Sequence, residues 1–491
     1  MASVKVNVIL NIINTVVGLL FPLITFPYVS RILMPDGIGL IQFYQSIINY
    51  IVLLSALGIP LYAVREIAKV RDNELNRNKT TVEILILHGC LSIVGYLIVF
   101  ILIFTVTKIY SDWPLFLLLS LSIFFNVIGV TWFYQAVEDF KYITIRSLIV
   151  RLLALIALFI FVRSREDIYQ YALILVGAEV GNFTFNFYRL RHYVRFNEIE
   201  FSSLRIITHL KPSLKIFFLN FAISIYVNLN PIMLGFMCDT TIVGYYTAVA
   251  KLIRASNGLT LALGSALLPR LSNYYAAGKY TEFSMLRKKA LNVIMMLCVP
   301  LSMGVFIVSP SLIPVFSGND YLPSVLTLKI SAPGILISAL NYIISIQILY
   351  SQNKENLVIL ATLGGAVINI IINLLMIPYF QQNGAALAGC LAELTVLVIC
   401  LTLGHNYIKY NFFNKNNLEV VIMSVLACGI SWYIGSLVYL PNMTMLIIQV
   451  LISVGIYCIG LLVLRNQLFM EYFLLIVDKI GISKLFKKKN G

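Results

Sequence analysis

From near its start to its last thirty residues, the chain alternates apolar runs of about twenty residues with short polar connections. A helical run of that length crosses the ~30 Å hydrocarbon core of a bilayer, where no water is at hand to satisfy exposed backbone groups. The bilayer is therefore the solvent throughout, and almost no room is left for a soluble domain. Composition agrees: over 491 residues, 60% are hydrophobic and 12% charged, with a mean hydropathy of +0.90. The expected fold class is an all-α polytopic membrane protein of about 14 transmembrane helices. Their starts fall near Val8, Ile38, Glu83, Pro114, Ile143, Ile168, Ser213, Ile242, Leu286, Pro323, Asn356, Gly384, Leu418 and Met443.

A formal charge of +15 invites a nucleic-acid reading, so the position of the charge decides. With the N-terminus inside, 27 of the 36 Lys and Arg fall in inner segments, and only Arg31, Lys108, Arg163 and Arg165 fall in outer loops. That is the positive-inside pattern; it places both termini in the cytoplasm and gives no reason to expect nucleic acid. The first span lacks a small-residue cleavage site and is read as retained. Six of the seven cysteines sit in apolar runs, and His88, His192, His209 and His405 show no ligand spacing, so neither disulfides nor a metal site is expected. The end of the chain, from Gln467 to Lys489, is too charged for another span. It reads as an interfacial segment with lysines near anionic headgroups.

Polar residues inside the spans are the informative ones. The stretch Ile242 to Arg270 is long enough to cross a bilayer yet carries Lys251 and Arg254 well inside its ends. Each costs about 2.5 to 3.5 kcal/mol at a helix centre, so a wet cavity, a partner or a ligand must compensate. Thr247, Lys251, Arg254, Gly258, Ala262 and Ser265 share one stripe of that helix. Arg151, about 12 Å into the fifth span, is a second candidate cavity cation. The first span carries Asn7, Asn11, Asn14 and Gly18 on one face, which suits either close packing or a cavity wall. Gln42, Gln45 and Asn49 share a face of the second. Intramembrane acids are Glu179 and Glu393, with Asp239 near a span end. The string Trp132, Phe133, Tyr134 suits the inner membrane interface.

Fixed offsets suggest a duplication. Shifting by 205 carries Gly39 to Gly244, Arg65 to Arg270, and Gln42 and Asn49 onto Thr247 and Arg254; by 209, Asn11 to Asn220 and Pro22 to Pro231; by 214, Ala172, Leu173, Ala178 and Glu179 onto Ala386, Leu387, Ala392 and Glu393. No single match is significant. Together they fit two six-helix lobes in parallel repeat. The expected division is an N-terminal lobe at 1–188, a cytoplasmic linker at 189–212, a C-terminal lobe at 213–408, and two further helices with a basic cytoplasmic tail at 409–491.

The strings FPYVSRILMPDGIG, WFYQAVEDFKYITIRSLIVR and SIYVNLNPIMLGFMCDTTIVGYYTAVAKLIRASNGLTLALGSALLPRLSNYYAAGK resemble bacterial Wzx-type flippases. These belong to the multidrug, oligosaccharidyl-lipid and polysaccharide exporter superfamily. The resemblance implies a V-shaped pair of six-helix lobes plus two C-terminal helices, alternating access, a cationic central cavity, and location in the bacterial cytoplasmic membrane. The implied substrate is an undecaprenyl-diphosphate-linked oligosaccharide destined for O-antigen, capsule or exopolysaccharide, with a polysaccharide polymerase and chain-length proteins as downstream partners and membrane lipids around it. By position, Arg254 and Lys251 correspond to cavity cations for the diphosphate or acidic sugars; Arg151, Asn49, Gln45 and Asn11 complete the candidate substrate wall, and Arg31, Arg65 and Arg270 its mouths. Span two lacks an intramembrane arginine, which departs from peptidoglycan-precursor flippases and lowers that alternative.

On physical grounds alone, a diphosphate headgroup needs a wet cationic path, and a bidentate Arg254 with a point-charge Lys251 would suit it. The competing structural reading pairs those cations with Glu179 or Glu393 as packing glue. A multidrug cation antiporter would favour intramembrane acids over the observed excess of cations. A membrane-embedded glycan polymerase would need convergent acids, a metal motif or a catalytic His on a long outer loop, and the longest outer connection, near 309–322, offers only Asp320. No enzyme activity and no cofactor is expected; Glu179, Glu393 and Asp239 are the candidates for H+ or Na+ coupling.

Overall fold

The computed structural model describes residues 4–196 and 199–479. Residues 197–198 of the expected linker and the basic tail from 480 onward lie outside the described residues, as do the side chains of Asn7, Asn220, Ala262 and Ser265. Among the described residues every regular element is helical. Among the described residues, nine helical stretches are long and apolar enough to cross a membrane. Their outer faces expose large apolar side chains such as Phe100, Phe104, Leu153 and Leu451, a pattern that lipid, not water, makes favourable. The protein is an all-α polytopic membrane protein.

The expected outer connection between the first two spans is not a loop. One helix runs Val4–Ala56 with a sharp kink at Met34 (φ 59°, ψ 175°). Pro35 supplies the cause, because its ring disfavours the α conformation at the preceding residue. A similar break at Gln381 (φ 49°, ψ −127°) divides Glu355–Leu403.

The chain forms two compact units, one of Met1–Thr247 with Asn373–Ala385, the other of Ala248–Ile372 with Ala386–Gly491. In the first, Val4–Ala56 packs against Glu74–Thr105, Trp113–Ile128, Phe140–Phe161 and Leu210–Met237. Its core at one end gathers Ile59, Ile67, Ile84, Phe133, Tyr134 and Leu190. Trp132, Phe133 and Tyr134, expected at the membrane interface, are buried in this core; the Tyr134 hydroxyl donates to the Asn186 carbonyl at 2.6 Å. In the second unit, Tyr280–Ser317 packs against Lys415–Leu437 and Asn442–Val463, around Leu291, Ile343, Ile348, Cys400 and Leu461.

Within the first unit the helix Thr240–Ala276 begins in direct backbone contact with Val4–Ala56. A Cβ on Gly39 would collide with the Thr240 carbonyl, and one on Gly244 with the Pro35 carbonyl. The contact is reciprocal, because Pro35 and Thr240 stand at the same offset of 205 as Gly39 and Gly244. The two helices therefore cross at a point where only glycine fits, the small-residue device of membrane helix pairs.

The exceptions to the positive-inside pattern have local employment. Lys108 Nζ donates to the carbonyls of Gly235 (2.9 Å), Phe236 (3.3 Å) and Cys238 (2.9 Å), where a cation meets the negative end of the Leu210–Met237 helix. Arg165 pairs with Asp36 at 2.8 Å.

Candidate functional site

In the first unit, helical spacing brings three of the singled-out residues together. Gln45 and Asn49 are four apart on Val4–Ala56, and Leu175 and Glu179 four apart on Ile168–Leu190, so each pair shares a helix face. With Leu119 and Ser122 of Trp113–Ile128 they line a pocket of about 10 Å³, about the room of one water molecule. Among the described residues Glu179 has no hydrogen bond or ion pair to protein, so its carboxylate is available to what enters this pocket.

Arg151 has a different setting. Its Nη1 donates to the carbonyl (3.1 Å) and side-chain Oδ1 (3.3 Å) of Asn14, and Ser147 donates to the same Oδ1 at 3.0 Å. One turn away, Thr144 donates to the Leu10 carbonyl at 3.2 Å. Gly18 lies beside the guanidinium, where an added Cβ would come within 3.3 Å of Nη2. The polar stripe of the first span thus packs Phe140–Phe161 through Asn14 and Gly18, whereas Asn11 on the same stripe is exposed. Arg31 is exposed and donates back to the Pro27 carbonyl. Arg65 is exposed and stands 3.4 Å from Glu66. Asp239 is exposed, and its backbone carbonyl accepts from the Ile242 N–H at 3.1 Å at the start of the following helix.

In the second unit, Lys251 is half-buried and Arg254, three residues on, is exposed. Asn257, a further three residues along the same face, accepts from Ser338 at 3.0 Å. Arg270 is exposed near the end of the helix. Glu393 is held by Asn341, whose Nδ2 donates to its carbonyl at 2.8 Å and to its Oε2 at 2.5 Å.

A buried network escaped the reading of the sequence, which treats the histidines as scattered. His209 Nε2 lies 2.9 Å from Glu83 Oε2, and its Nδ1 lies 2.7 Å from the Tyr62 hydroxyl. Glu83 Oε1 accepts from the Arg205 N–H at 2.7 Å. The network fastens the end of the expected linker to Ile59–Val70 and Glu74–Thr105 within the first unit. Each of its contacts joins residues more than a hundred apart, so no local spacing could announce it; the only signal was an acid at the start of an apolar run.

Residues 4–275, more than half of the chain, match the family described as polysaccharide biosynthesis protein. The chain belongs to that family. A relative from Shigella dysenteriae, named as a candidate O-antigen transporter, is 26% identical over 407 residues, spanning 81% of this chain and 99% of the relative. Among solved structures, one titled lipid II flippase MurJ in an inward closed conformation has a TM-score of 0.72 at 16% identity, covering 94% of this chain and 99% of its own. An inward-facing multidrug resistance transporter of the MATE family and MOP superfamily has a TM-score of 0.65 at 13% identity, over 79% and 94%. At those identities the two structures share the fold alone with this family member.

Proposed function

We propose that the protein is a flippase that moves undecaprenyl-diphosphate-linked oligosaccharide repeat units from the inner to the outer leaflet of the bacterial cytoplasmic membrane, for O-antigen, capsule or exopolysaccharide assembly. The observation that carries this reading is the family match over residues 4–275 in a chain whose helices are lipid-solvated. A diphosphate bearing sugars is too polar for hydrocarbon, whereas its polyprenyl tail is not, so transport needs only a wet cationic path for the headgroup. Lys251 and Arg254 are the cations offered for that path: a guanidinium suits bidentate phosphate contacts, and an ammonium acts as a point charge. Two six-helix lobes, 1–188 and 213–408, rocking in alternating access, would carry the headgroup across. Proton or sodium coupling falls to Glu179, because Glu393 is already held by Asn341.

Deleting the gene should leave a lipid-linked oligosaccharide on the cytoplasmic leaflet, identifiable by mass spectrometry of extracted lipids. Purified protein in vesicles should translocate that lipid; export of organic cations with no lipid translocation would sink the proposal. Lys251→Ala with Arg254→Ala should abolish most surface polysaccharide at unchanged protein abundance.

A further inference from the structure

The residues proposed for transport leave unused a polar cavity of about 630 Å³ in the second unit. It forms where Tyr280–Ser317 and Lys415–Leu437 begin and Asn442–Val463 ends, the side that the charge pattern assigns to the cytoplasm. Lys288, Lys415 and Arg465 line it, against one carboxylate, Glu419. That carboxylate is already engaged: its Oε2 accepts from Asn466 at 2.7 Å, and its Oε1 lies 3.9 Å from Lys415. Among the described residues neither Lys288 nor Arg465 has an ion-pair partner, so the cavity holds net positive charge.

Its wall is pre-arranged. Asn292 Oδ1 accepts from Asn414 at 3.3 Å and from the Tyr410 hydroxyl, and that hydroxyl accepts from Asn417 at 2.8 Å. Asn414 also caps Lys415–Leu437 by accepting from the Asn417 N–H at 3.0 Å, so the positive end of that helix adds to the field. Arg465 is held at φ 53°, just past the end of Asn442–Val463, with the Asn466 N–H returning to the Leu461 carbonyl at 3.0 Å. Glycine is the usual occupant of such a left-handed position after a helix. An arginine there spends conformational ease on its side chain, which lines this cavity.

A second feature separates a lipid from a soluble anion. Leu418, Ile422 and Leu426, four apart, form an exposed apolar stripe running down the helix whose first turn lines the cavity. Polar, cationic rim and apolar stripe together match a headgroup above its acyl chains, as in basic pockets at membrane-helix ends. We propose that this cavity binds the phosphate headgroup of an anionic inner-leaflet lipid. The inference shares only the membrane orientation with the flippase reading and needs no transport to test it.

Native mass spectrometry of the purified full chain in mixed micelles of phosphatidylglycerol and phosphatidylcholine supplies the test. Wild type should retain phosphatidylglycerol over phosphatidylcholine, and Lys288→Gln with Arg465→Gly should lower that retention about thirtyfold. Arg465→Gly relieves the left-handed backbone while removing the charge, so loss of lipid cannot be charged to unfolding; size-exclusion and circular dichroism should match wild type. Lys289→Gln, which removes a cation paired with Glu471 outside the cavity, should retain lipid as wild type does. Equal retention of the two lipids by wild type, or undiminished retention by the double variant, overturns the proposal. So does competition by millimolar inorganic phosphate with no preference between lipids, which would mark a site for a soluble ion.

Discussion

Glu179 and Glu393 stand 214 residues apart in the same short sequence context, and the two units hold them differently. Glu393 is tied to Asn341 through both its carbonyl and its carboxylate. Glu179 shares a water-sized pocket with Gln45, Asn49 and Ser122. A carboxylate already held by a protein donor contributes to packing; one beside amides and a hydroxyl in a pocket can exchange an ion or proton. Neighbouring helices give the two acids different surroundings.

That contrast is open to direct attack. Glu179→Gln should produce the largest loss, about a hundredfold or more in vesicle flipping rate under an ion gradient, the range removed with a proton-transfer group. Glu393→Gln should be mild, because an amide oxygen still accepts from Asn341; equal damage by the two substitutions would break the comparison. Next in size, Asn341→Ala should destabilise the second unit by about 1 to 3 kcal/mol, the cost of leaving a buried acceptor unpaired, seen as a lower thermal midpoint in detergent. Gln45→Ala and Asn49→Ala should lower the flipping rate a few-fold with no such shift, since they touch the pocket and not the Glu393 contact.

The smallest effect sharpens the contrast with an acid outside the membrane. Asp167 accepts from the N–H groups of Arg163 (2.9 Å) and Ser164 (2.7 Å), and those two hydrogen bonds, Arg163 first, hold its pKa below the ordinary aspartate value. A depressed folded value means its contribution is present above the unfolded pKa of about 3.9 and is lost as pH falls through the folded value. Amide exchange at Arg163 and Ser164 should therefore be constant in local protection from pH 5 to 8 and rise only in stronger acid. Asp167→Asn should leave transport unchanged, unlike Glu179→Gln.

Arg151 and Lys251 illustrate how far a sequence reaches into such a site. Both are cations at depth in apolar helices, and the cost of that placement marked both as needing an explanation. For Arg151 the structure supplies one in the Asn14 carbonyl and amide, from a helix more than a hundred residues earlier. The Lys108 cap and the Glu83, His209 and Tyr62 network were equally hidden, because each partner lies on another helix. The kink at Met34 was half legible: a connection between the first two spans was expected, but a loop and a bend are the same in one dimension.

By itself the sequence determined that lipid is the solvent, that the chain is helical, and which side the charge pattern favours for the cytoplasm, because length, hydropathy and charge act on each segment locally. Only the tertiary structure decided which polar groups are consumed in packing and which stay available, and that Gly39 meets the Thr240 backbone while Gly244 meets that of Pro35. The reason is physical: a segment's transfer into lipid depends on its own residues, whereas satisfying a buried charge depends on a donor or acceptor that only folding brings within 3 Å.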